Sequence, residues 1–73
     1  MDSELRRARG LYHEWRALGE RDRGRIAPFA REVKELALDL RGQADTDAAL
    51  RELALANDAL EVILRHTPVL RAA

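Results

Sequence analysis

Ile26, Phe29, Val33, Leu36 and Leu40 follow one another at steps of three and four residues, and Ala30 and Ala37 fill the same stripe. At about 100° per residue, such steps set all of these side chains on one side of an α-helix. Helical spacing of this kind runs through the whole chain. The β-branched residues Ile26, Val33, Thr46, Val62, Ile63, Thr67 and Val69 never alternate with polar neighbours over the length of a strand, which argues against sheet. The expected fold class is therefore all-α.

Three helical segments can be delimited. The first covers about 3–18, with Asp2 or Ser3 as N-cap. Leu5, Ala8, Leu11, Tyr12, Trp15 and Leu18 share a broad face, and Arg6, Arg7, Arg9 and Arg16 lie mostly off it. Gly10 weakens this helix, and Gly19 is placed to stop it. The second covers about 22–41 and contains Pro28. Either Pro28 opens the helix in its first turn, or the helix starts earlier and is kinked or split there. The second reading is preferred, because Ile26 already belongs to the stripe. Gly42 should end this segment. The third covers about 46–66, capped by Asp45 or Thr46, with Asp47–Arg51 and Glu61–Arg65 as i,i+4 pairs. It should stop at Thr67, ahead of Pro68, and 67–73 should form a loose tail. The architecture expected is one domain over 1–73: a small three-helix bundle, kinked in its second helix and completed by self-association.

Self-association is expected on grounds of size. A chain of 73 residues buries only about 60% of its unfolded surface. Folds this small usually carry a disulfide, a metal or a partner chain. There is no Cys, so disulfides and thiolate zinc sites are excluded, and a partner chain remains. The third segment suggests where it would sit. Leu50, Leu53, Leu60 and Leu64 make its principal face, with Ala56 and Ile63 at one margin. Leu55 and Val62, flanked by Ala48 and Ala59, point almost the opposite way. A helix that is apolar on two sides is usually covered on two sides. Leu55, Ala59 and Val62 are thus the candidate interface, with Trp15 as a candidate anchor. Trp15 and Tyr12 read equally as core aromatics. Phe29 is assigned to the core. Asn57 falls in the principal face, where a polar residue can fix coiled-coil register. The preferred reading is that it lies at the edge of the stripe and reaches water or a backbone carbonyl.

Motifs for chemistry are missing. His13-Glu14 begins a zinc-hydrolase pattern but lacks its second His. No Glu-x-x-His pair is present for a di-iron site. Ser3 is the only Ser, and Gly19 and Gly24 match no phosphate loop. The expectation is a protein that is not an enzyme, with no cofactor and no metal. Neither a membrane span nor a secretory signal is read from the chain, and a cytoplasmic location is expected.

Net charge is zero, but it is unevenly spread. Residues 1–34 carry nine basic and six acidic side chains, and residues 35–73 carry four and seven. This asymmetry could steer chains together head to tail or turn the first half to an acidic partner, but the preferred reading is a mixed solvated surface. Arg21, Arg23 and Arg25 are candidate nucleic-acid contacts, since Arg binds phosphates and reads guanine edges. Against this, the chain is neutral, whereas nucleic-acid-binding domains are typically basic. The function expected is a helical protein–protein interaction module, such as an adaptor, a regulator or a neutralising partner. Arg-mediated nucleic-acid binding is the alternative.

Overall fold

A computed structural model describes residues 3–42 and 46–67. It contains three helices: α1 (Ser3–Arg16), α2 (Glu20–Gly42) and α3 (Thr46–His66). Each helix touches the other two, and the molecule measures 44 × 18 × 15 Å. An α-helix with its side chains is about 10–12 Å across. The bundle is therefore one core layer thick, and every helix keeps an open side.

The core is a single aliphatic seam. Ala8 and Leu11 come from α1, Ile26, Ala30, Val33 and Leu40 from α2, and Leu53, Leu60 and Leu64 from α3. Ala30, Leu53 and Leu60 are wholly buried. Full burial of one aliphatic side chain contributes about 1.5–3 kcal/mol. Leu5, Tyr12, Trp15, Leu18, Leu36, Ala37 and Leu50 pack partly buried around the seam.

Phe29 departs from expectation: it is 41% exposed. The buried positions of α2 define the centre of its stripe, and Phe29 and Leu36 fall along one margin at about 100° per residue. A large ring there extends beyond the neighbouring helices.

The turn between α1 and α2 is built differently from the glycine stop expected. Helix α1 ends at Arg16, two residues early. Its last turn tightens, with the Leu18 N–H donating to the Trp15 carbonyl at 3.1 Å. No described glycine has a positive φ, so Gly19 does not act as a left-handed C-cap. Instead its carbonyl accepts the Arg23 N–H at 2.9 Å, which makes Gly19 the N-cap of α2, a position glycine tolerates well. The open carbonyls of Arg16 and Leu18 each accept from the Arg23 guanidinium at 3.4 Å.

Helix α2 begins at Glu20, two residues before expectation, and its helical residues run without interruption past Pro28. The two-piece arrangement and the reading in which Pro28 opens the helix are both overturned. Pro28 removes the N–H that the Gly24 carbonyl would accept. Both residues are exposed, so water can take that carbonyl. Helix α3 stops at His66 as expected, and the Thr67 hydroxyl donates to the Ile63 carbonyl at 2.7 Å. The expected caps Asp2 and Asp45, the turn after Gly42 and the tail beyond Thr67 lie outside the described residues.

Gly10 is exposed inside α1, and a Cβ added there would meet nothing within 4 Å. Gly10→Ala should therefore stabilise the chain by about 0.5–1 kcal/mol through the lost unfolded-state freedom of glycine. A rise in the urea midpoint with an unchanged slope would show it; no rise would mean that α1 is not helical at that point.

Candidate functional site

Three places gather the side chains that could act: a polar cluster between α1 and α3, the outer face of α3, and the groove between α1 and α2.

The polar cluster begins with Asn57, which is fully buried at the centre of the α3 face and not at its edge as expected. Its Nδ2 donates to the Glu4 carbonyl at 3.1 Å and to Glu4 Oε1 at 2.9 Å. Both partners are acceptors only, so the amide must present its nitrogen to them. Its own Oδ1 is buried with no partner among the described residues, a cost of about 1–3 kcal/mol. Glu4 also meets Arg7 at 3.3 Å, and Arg7 crosses to Asp58 and Glu61 on α3. Glu61 in turn pairs with Arg65 at 2.9 Å. Hydrogen bonds to Asp58 and then Glu61 hold the Arg7 guanidinium above its ordinary pKa. The hydrogen bond from Arg7 holds the Glu61 carboxyl below its ordinary value, against a smaller desolvation effect. Of the two i,i+4 pairs expected in α3, Glu61–Arg65 forms, while Asp47 and Arg51 do not come within ion-pairing distance.

The candidate interface residues of α3 lie together. Leu55 is 66% exposed and Val62 is 52% exposed, and Ala48 and Ala59 between and beside them are also exposed. Trp15 is placed elsewhere. It sits half-buried between α1 and α2, its ring 5.1 Å from that of Tyr12, and its indole N–H donates to the Arg23 carbonyl at 2.8 Å. A buried indole needs such an acceptor, and here it ties α1 to the start of α2.

Arg21, Arg23 and Arg25 do not form one surface. Two residues along a helix are about 200° apart, so Arg23 faces away from the other two. Arg23 turns inward to the Arg16 and Leu18 carbonyls, Arg25 meets Asp22 at 3.7 Å, and Arg21 is exposed. The clearer gathering of basic side chains brings Arg6 and Arg9, near neighbours in the sequence, to Lys34 and Arg41, which sequence reading did not join to them. Arg6, Arg9, His13, Lys34 and Arg41 rim a groove between α1 and α2. Lys34 and Arg41 lie about two turns apart on α2, far in sequence from Arg6 and Arg9, so no local cluster announces them.

Among the described residues no three His, Asp or Glu side chains converge as metal ligands do, and no helix is long and apolar enough to cross a membrane. Comparison with protein-family models, curated proteins and solved structures returns no match.

Two outcomes follow from the polar cluster. Asn57→Asp would set a buried carboxylate against both Glu4 oxygens and should cost about 3 kcal/mol or more, measured by urea unfolding at neutral pH. A loss below 1 kcal/mol would show that Glu4 does not bond position 57. The second concerns acid. A carboxylate whose pKa is depressed by folding stabilises the chain fully above its ordinary value, and loses that contribution as pH falls through the depressed one. The ordinary value for Glu61 is 4.5. The stability advantage of the parent over Arg7→Gln should therefore be complete above pH 4.5 and close well below it. An advantage independent of pH would remove the ion pairs from the account.

Proposed function

We propose that this chain is a small non-catalytic interaction module that pairs with a second copy of itself through the outer face of α3. The observation that carries this reading is the row of Leu55, Ala59 and Val62, which no helix of its own chain covers. In a fold one layer thick, covering that row adds apolar burial that the monomer cannot reach.

Charge supports a copy of the same chain as the occupant. A symmetric contact brings the same patch against itself. The exposed ionic side chains around the row are Asp47, Arg51, Glu52, Asp58 and Arg65, a mixed set that leaves no strong self-repulsion. The neutral net charge of the whole chain acts in the same direction. Within this reading the module serves as an adaptor, a regulator or a neutralising partner, and works in the cytoplasm, where reducing conditions suit a chain without cysteine.

Light scattering behind a sizing column, at two concentrations, tests the proposal. The parent should run as a dimer or larger assembly. Leu55→Glu combined with Val62→Glu should keep the far-ultraviolet helical signal and reduce the mass to that of one chain. An unchanged mass in the double variant, or a monomeric parent at both concentrations, would overturn it.

A further inference from the structure

The α1/α2 groove differs in kind from the α3 face. Leu5, Ala8, Tyr12, Val33, Ala37 and Leu38 form its floor, and Leu38 is 54% exposed there. Among the described residues its charged rim is Arg6, Arg9, Lys34 and Arg41, with His13 beside them. Among the described residues no carboxylate lines it. Among the described residues, Arg6, Arg9, Lys34 and Arg41 make no ion pair. The Lys34 ammonium rests 5.7 Å from the centre of the Tyr12 ring.

Helix phase accounts for this sorting. At about 100° per residue, Glu32, Glu35 and Asp39 fall on the side of α2 away from Lys34, Ala37 and Arg41. On α1, Glu4 turns to Asn57, and Glu14 lies beside Leu64 and Arg65 of α3. The carboxylates of both helices are thus drawn off, and the cations are left along the open side.

A second copy does not suit this surface, because a symmetric contact would press cation on cation. A nucleic-acid strand would satisfy the rim but leave the apolar floor unused. The Tyr12 ring, already flanked by Trp15 and Lys34, is half-buried and poorly placed to stack on a base. An amphipathic helix uses both parts: its apolar ridge lies in a groove between two helices, and its flanking charges meet the rim. The groove runs beside Leu5–His13 and Val33–Arg41, about 12 Å of each helix.

We propose that the α1/α2 groove is a docking site for an acidic amphipathic helix of another protein. The ridge of that helix seats on Tyr12, Ala37 and Leu38, and its carboxylates reach Arg9, Lys34 and Arg41. The site is separate from the α3 face and does not rest on self-association.

The test is a titration of the full chain followed by amide chemical shifts. The first probe is a peptide of about 18 residues, five turns of helix, with Leu at steps of three and four and Glu elsewhere. The second has the same composition in scrambled order, and the third is single-stranded DNA of about a dozen nucleotides. The ordered peptide should shift Ala8, Tyr12, Ala37 and Leu38, and the scrambled one should bind at least about tenfold more weakly. Arg9→Glu combined with Lys34→Glu changes only exposed side chains, so the fold should survive, and affinity should drop by about tenfold or more. That variant should regain affinity for the peptide with Lys in place of Glu. Several outcomes would overturn the proposal: no shifts at millimolar peptide, equal binding of the scrambled peptide, shifts confined to α3, or tighter binding of DNA to the same residues.

Discussion

Everything in this molecule hangs on an aliphatic seam too thin to hide three helices completely. Leu53, Leu60 and Leu64 of α3 meet Ile26, Ala30, Val33 and Leu40 of α2 and the small set Ala8 and Leu11 of α1. Each helix gives one stripe to the seam and shows the rest to water. None of the three helices covers Leu38, Leu55 or Val62. The locations of these two open apolar surfaces follow from helix phase.

The seam is not purely apolar. Asn57 interrupts it between Leu53 and Leu60 and binds the first turn of α1 through Glu4. An aliphatic residue at that position could slide along α1 with little penalty, because dispersion and hydrophobic contacts are non-directional. An amide facing two acceptors cannot slide without losing both. The unpartnered Oδ1 shows that this registration carries a cost. Arg7 repeats the connection nearer the surface, bonding Asp58 and Glu61 on either side of Leu60. At the far end of α1, Trp15 and Arg23 join the helix to α2 by donating to main-chain carbonyls. Polar bonds at its two ends thus set where α1 lies, and the seam supplies the burial between them.

We propose different partners for the two open surfaces because their charges are arranged differently. Around Leu55 and Val62 the signs are mixed, and a copy of the same face is acceptable. Along the α1/α2 groove the charges of the described residues are all positive, and the proposed occupant is acidic for that reason. A chain with zero net charge can hold both surfaces because the helices sort their charges by face.

Much of the fold was legible in the sequence. Steps of three and four residues place the three helices, since that periodicity follows from helix geometry alone. The exposure of Leu55 and Val62 opposite Leu53 and Leu60 follows from the same rule. What lay beyond it depended on contacts between residues distant in the chain. Gly19 caps the second helix through its carbonyl, which accepts the Arg23 N–H, while the Arg23 guanidinium reaches back to the carbonyls of Arg16 and Leu18. Helix α2 passes Pro28 unbroken because packing on the buried side outweighs one lost hydrogen bond on the exposed side. Asn57 looks like a marginal residue until Glu4, 53 positions away, comes to face it. The cationic groove could not be read locally, since Arg6 and Arg9 meet Lys34 and Arg41 only once α1 and α2 lie side by side. Sequence determined which face each helix buries, because that is a property of one helix. Tertiary structure alone decided which faces meet, because pairing depends on side chains that the chain holds far apart.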